Sequence, residues 1–364
     1  MPIVNLERAY KSEEWVAEES HFASKTKYPV ALEGNKEINS NSIGEGSNST
    51  NEGEATKMNG ITEGAKRQNL DEISTPFTFN YKSQLIEIEE WRFLCYDFRN
   101  LESERGSLKL LSKLRKGIPS QFRGFFWMKL AEVENIKNEH SENLYFQLSE
   151  IKNAPCCGDI YRDISRTFPK HTLFRDRNNH GQNSLFSVLR AYSLYNPDVG
   201  YCQGMGFIVG VLLMYLSEED SFYMLISILD KYEFSGLYLP GLPLLNTHLE
   251  KLRKIFKKRI PNLYNHFRSE NVDETMYASQ WFMTIFAYSF NLDSVARIWD
   301  LFFLEGINLI FKISIAILKI LKNSLFNQSF ENILHTLKTA PYTININELI
   351  NCALNVKLNF KELA

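Results

Sequence analysis

From Pro76 onward the apolar positions of the chain recur with a helical period. Leu85, Ile86, Ile88, Trp91 and Leu94 share one spacing, and Leu108 to Leu114 repeats it before Lys116-Gly117-Ile118-Pro119, a stop signal. Leu185, Val188, Leu189 and Tyr192 form one face, with Asn183-Ser184 expected as the N-cap and Asn196-Pro197 as the terminator. Further helices are expected at 219–230, 245–258, 277–290, 294–304 and 308–325, joined at Pro240-Gly241, Pro261 and Gly306. Leu144 and Leu148 read as core positions of another helix, although their surroundings, Glu142 to Gln147, match a protease-recognition hexapeptide. Strand-like alternation is scarce and no repeat recurs, so the pattern predicts an all-α domain larger than a four-helix bundle.

Upstream, Glu33 to Gln68 is Asn, Ser, Gly, Glu and Lys with almost no large apolar residue. Such a stretch cannot bury enough surface to offset its ordering entropy and is expected to be disordered. Residues 1–32 hold Trp15, Phe22 and Tyr28, and read as a frayed tail rather than a docking motif. The expected division is a largely disordered region 1–75, a helical extension 76–109, a main domain 110–338 and an unassigned segment 339–364.

Composition narrows the function. The 44% hydrophobic content of the 364 residues supports a substantial core, and a net charge of −2 gives no electrostatic footprint for nucleic acid. The five cysteines are irregularly spaced, and the pair Cys156-Cys157 lacks the gap that zinc ligation favours, so no metal is expected. The apolar run Met205 to Leu216 is too short to span a bilayer, and that from Ile307 to Leu321 is broken by Lys312 and Lys319. The expectation is a cytoplasmic chain without a transmembrane segment, peripheral on endomembranes only through a partner.

Three patterns carry candidate chemistry, and each also has a structural reading. In Arg123-Gly124-Phe125-Phe126-Trp127 a glycine allows close backbone approach and Trp127 offers a core anchor. In Ile160 to Pro169, Ile160, Asp163 and Arg166 lie on roughly one helix face, and Pro169 should stop the helix at or just before Phe168. Arg166 would then stand at a helix end with Asp163 holding its guanidinium; otherwise the two form a plain surface pair. In Val199 to Met205, Gly200 and Gly204 bracket Gln203 ahead of an apolar helix whose N-terminus suits phosphate. The alternative is a glutamine that caps this helix. No Walker-type loop, G-x-S-x-G elbow or H-E-x-x-H helix occurs, which points to residues acting on a substrate bound elsewhere.

Taken together and in this order, the patterns resemble the TBC-domain family of Rab GTPase-activating proteins, whose signatures are RGxxW, IxxDxxR and YxQ. They are matched by Arg123-Gly124/Trp127, Ile160/Asp163/Arg166 and Tyr201/Gln203, and the likeness continues through Tyr238 to Leu242, Tyr277 to Phe282 and Arg297 to Asp300. The resemblance implies a two-lobed, multi-helix all-α TBC domain that inserts Arg166 and Gln203 in trans into a GTP-bound Rab partner. Arg166 would neutralise transition-state charge and Gln203 would orient the attacking water, with GTP and Mg²⁺ held by the partner and no cofactor of its own. Asp163 would orient Arg166, Tyr201 would brace the glutamine loop, and Arg123 and Trp127 would hold the domain together. Gly206 stands where family members often carry a polar residue, so partner contacts are expected to differ there. The other reading of the resemblance is an adaptor that binds a Rab without stimulating hydrolysis.

Overall fold

In a computed structural model, residues 81–96, 104–176 and 179–358 are described, and every regular element among them is helical. The stretch expected to be disordered lies outside the described residues. The helices are α1 (Tyr81–Tyr96), α2 (Glu104–Lys116), α3 (Ser120–Leu130), α4 (Val133–Asn138), α5 (Leu144–Glu150), α6 (Cys157–Ile164), α7 (His180–Tyr195), α8 (Met205–Leu213) and α9 (Glu218–Ile226). They continue as α10 (Pro243–Arg259), α11 (Pro261–Ser269), α12 (Ser279–Met283), α13 (Leu292–Glu305), α14 (Ile307–Ile320), α15 (Lys322–Leu325), α16 (Phe330–Thr339) and α17 (Ile346–Leu354).

The helices gather in two groups. In the first, α5, α6, α8 and α9 pack around α7; in the second, α10, α12, α13 and α17 pack around α14. Helix α13 also lies against α2 and α3, which brings residues 104–130 onto the second half of the described region. This is the all-α, two-lobed arrangement. Helix α8 buries nearly all round because its sequence is apolar on every face, while α14 buries Leu309 to Phe311 and Ile313 to Leu318 and leaves Lys319 exposed.

Local chemistry moves three boundaries from their expected places. Helix α7 starts one turn early: the Asn179 side chain accepts from Gln182 N–H at 3.0 Å, and its amide donates to Leu173 C=O at 2.9 Å. Asn183 and Ser184 therefore lie inside the helix, and a Cβ at Gly181 would come within 2.0 Å of the Leu173 oxygen. The expected helix 277–290 is broken after Met283. Phe286 N–H bonds Trp281 C=O and Ile285 N–H bonds Phe282 C=O while Ile285 sits at φ 47°, a Schellman ending that carries isoleucine where glycine is usual. The third shift, at the end of α6, shapes the candidate site.

Candidate functional site

Helix α6 stops at Ile164 rather than near Phe168. Arg166 N–H turns back to Asp163 C=O and Thr167 N–H to Ile164 C=O, tightening the last turn, while the Thr167 hydroxyl takes the same Asp163 carbonyl at 2.9 Å. Phe168 then enters the left-handed region at φ 45°, since the proline after it closes off the helical conformation. Arg166 thus stands beyond the helix, its side chain half exposed.

The glutamine loop arrives from the other side. Gly200 and Gly204 both take positive φ, 59° and 111°, as the bracketing pattern requires. Gly204, not Gln203, is the N-cap of α8, and it rests on Thr284 and Met283. With its amide oxygen facing donors, Gln203 accepts from Arg166 Nη2 at 3.0 Å and Nη1 at 3.3 Å.

Asp163 connects the two segments. Its Oδ1 accepts from Arg166 Nε at 3.0 Å and Nη2 at 2.6 Å, and its Oδ2 accepts from the Tyr201 hydroxyl at 2.5 Å. Burial, reinforced by the Asp163 carboxylate, pushes the Tyr201 phenol well above its ordinary range, so it stays protonated and donates. These four residues line a recess of about 470 Å³ together with Asp159 and Arg162. The last two were not singled out in the sequence, yet positions 159, 162, 163 and 166 follow the i, i+3, i+4, i+7 rule for one helix face. Asp159 and Arg162 form an exposed ion pair at the rim.

Arg123 and Trp127 are not in this recess. Arg123 Nε and Trp127 Nε1 both donate to Asp300 Oδ1 at 3.1 Å, and Ile118 N–H donates to Oδ2 at 3.0 Å. Asp300 is fully buried; burial pushes its carboxyl up, and Arg123 with the three hydrogen bonds opposes that shift. Gly124 lies where a Cβ would come within 2.6 Å of Tyr215 C=O. This first motif fixes α3 onto α13. Gly206 is likewise internal: it is buried, and a Cβ would stand 3.2 Å from Thr167 Oγ1 and 3.8 Å from the Tyr201 hydroxyl. The expected change of partner contacts at Gly206 is therefore corrected, because the missing side chain makes room beneath the site.

Among the described residues no helix is long and apolar enough to cross a membrane. The profile of the Rab-GTPase-TBC domain matches residues 120–326. The chain is 36% identical over 291 residues to the human ecotropic viral integration site 5 protein homolog, covering 77% of this chain and 35% of that one. It is also 36% identical over 255 residues to the Caenorhabditis elegans Rab GTPase-activating protein eat-17, covering 69% and 28%. This chain thus spans about a third of the length of these curated relatives. The crystal structure of the Chlamydomonas flagellar RabGAP TBC domain superposes with a TM-score of 0.67 at 26% identity, covering 76% of this chain and 93% of that one. The three motifs, the helical architecture and these matches together place the chain in the Rab-GTPase-TBC domain family.

Proposed function

We propose that this protein accelerates GTP hydrolysis on a Rab-family GTPase by placing Arg166 and Gln203 in the partner's nucleotide site. The observation that carries the reading is the direct meeting of the Arg166 guanidinium and the Gln203 amide at an open recess, held by Asp163 and Tyr201. The relative eat-17 is named as a Rab GTPase-activating protein, which supports the same class of partner.

Charge spreads over the γ-phosphoryl oxygens as water attacks in line. A guanidinium offers a planar fork that neutralises this charge, and a neutral amide both accepts from and donates to the attacking water. The pairing also keeps the two groups side by side, so little reorganisation entropy is lost when they enter the site. GTP and Mg²⁺ are supplied by the GTP-bound partner. An arginine finger is worth roughly 10³ to 10⁵ in rate, about 4 to 7 kcal/mol of transition-state stabilisation.

The test is hydrolysis of GTP by a panel of purified Rab proteins with wild type, Arg166→Ala and Gln203→Ala. At least one Rab is expected to be accelerated by wild type, and that acceleration should fall about 10³-fold or more with Arg166→Ala at unchanged melting temperature. Gln203→Ala should be severely impaired even where the Rab keeps its own glutamine. Near-full activity in Arg166→Ala would sink the assignment.

A further inference from the structure

The two arginines of the recess come from one sequence unit used twice. Asp159 to Arg166 reads Asp-Ile-Tyr-Arg-Asp-Ile-Ser-Arg, so Asp-Ile-x-Arg stands twice in succession. A four-residue spacing is about one helical turn, roughly 6 Å along the axis, so Arg162 and Arg166 reach the recess from one face. In each unit the aspartate pairs with the arginine three residues on. The two pairs differ in how they are held. The Asp163 side chain is 14% exposed, and its pair is fixed by Tyr201 at the aspartate and Gln203 at the arginine. The Asp159 and Arg162 side chains are 59% and 76% exposed, and among the described residues each is the other's one charged partner.

We infer that Arg162 is a second phosphate-binding arginine of this recess, held by Asp159 until docking and then transferred to the γ-phosphoryl end of the partner's nucleotide; this rests on the proposed function above. Before docking the Arg166 guanidinium is already engaged by Asp163 and the Gln203 amide. The recess is lined by two arginines and two aspartates, so as it stands it has no net charge to attract a polyanion. The outer pair can change that balance at small cost. An exposed ion pair holds its members together by less than about fivefold, whereas a charge-assisted contact between a guanidinium and a phosphate oxygen is worth about tenfold or more. Asp159 keeps a favourable place without Arg162, because it lies in the first turn of α6, where the helix dipole favours a carboxylate. The ligand follows from the chemistry of the freed group: a planar fork of N–H donors with no acceptor, one turn from the arginine assigned to the same phosphoryl group. Such a contact acts in the ground state and the transition state alike, so it lowers KM without raising kcat. The two arginines then divide the work, Arg162 capturing the triphosphate and Arg166 meeting the charge of the transition state.

The experiment is steady-state hydrolysis on the Rab that wild type accelerates, comparing Arg162→Ala, Asp159→Asn and the double variant. Direct binding of the same Rab, loaded either with GDP or with a non-hydrolysable GTP analogue, is measured alongside. Arg162→Ala should raise KM about five- to thirtyfold with kcat within about twofold. Asp159→Asn releases Arg162 and should lower KM about two- to fivefold, a gain that disappears in the double variant. In binding, Arg162→Ala should weaken the GTP-analogue form by the same factor as KM and change the GDP form by less than about twofold. Equal weakening of both forms would put Arg162 on the partner's protein surface and overturn the phosphate contact. Unchanged KM in Arg162→Ala, with Arg166→Ala still inactive, overturns it while leaving the finger assignment intact. A fall in kcat at unchanged KM also overturns it, because Arg162 would then act only through Arg166. If wild type accelerates no Rab, the functional reading falls and the second arginine falls with it.

Discussion

Asp163 carries two duties through its two oxygens, one holding Arg166 and the other receiving Tyr201. Asn at this position keeps the size but loses the charge and presents N–H₂ to one of the two donors. Asp163→Asn should therefore lower kcat about ten- to a hundredfold in the Rab assay, less than Arg166→Ala, with KM little changed. An equal loss in both variants would mean that Asp163 does more than position the arginine. His248 illustrates a different residue-scale effect. It lies stacked on Phe282 at 5.6 Å, and its Nδ1 has no hydrogen-bond partner among the described residues. Burial first, and the Lys251 charge second, lower its pKa from 6.5 to about 4. Between those values the unfolded chain binds a proton that the folded chain refuses, so stability is full above about pH 6.5 and falls as the pH drops towards 4. The loss is at most about 3 kcal/mol. Asp273 is held down at about 2 by bonds from Thr275 and Arg268, and its own contribution is lost only below pH 3.8. Melting temperature measured from pH 7 to 4.5 should decline in wild type and decline less in His248→Phe; parallel curves would contradict the assignment.

At the scale of elements, what the sequence reveals depends on how local the determining physics is. Helix α10 follows from Pro at its first position and a regular apolar face, and α13 from Asn291, whose side chain accepts from Ser294 N–H at 2.9 Å. The glycine bracket around Gln203 is equally local, because positive φ at both positions depends on the residue type. The break after α12 was not legible: Ile285 and Phe286 adopt positive φ against their own preference, at φ 47° and 64°, and both rings and branches are buried in the tertiary core. Nor was the role of Asp300, whose three partners lie 173 or more positions earlier. Arg123 and Trp127 were legible as a structural pair, but not their common acceptor. Removing that acceptor leaves a guanidinium that is only 13% exposed without its counter-charge. Asp300→Ala is expected to cost about 3 to 5 kcal/mol and to lower the melting temperature by about 10 °C, read by thermal denaturation. A shift under about 2 °C would show that the buried pair contributes little to joining α3 and α13.

Across the whole molecule, the match to the Rab-GTPase-TBC domain ends at residue 326, yet the core does not. Helix α17 packs along α14 and also touches α13, burying Leu349, Ile350 and Ala353 almost completely. It is anchored at its start by Asn345, whose side chain accepts from the N–H groups of Asn347 and Glu348 at 2.9 and 3.2 Å. Helix α14 buries Leu309 to Phe311 and Ile313 to Leu318, so without α17 part of this apolar surface meets water. Burial of a leucine or isoleucine is worth about 1.5 to 3 kcal/mol, and α17 contributes two such residues besides the α14 surface it covers. The sum, about 5 kcal/mol, is comparable with the whole stability of an ordinary domain. A chain truncated after Thr343 keeps every residue of the recess. Such a chain is expected to be recovered mainly in aggregates, or to melt at least about 10 °C lower than the full chain. If it melts like the full chain and stimulates the same Rab equally, α17 is an appendage; if it fails in solubility while Arg166→Ala does not, the segment is part of the folding unit.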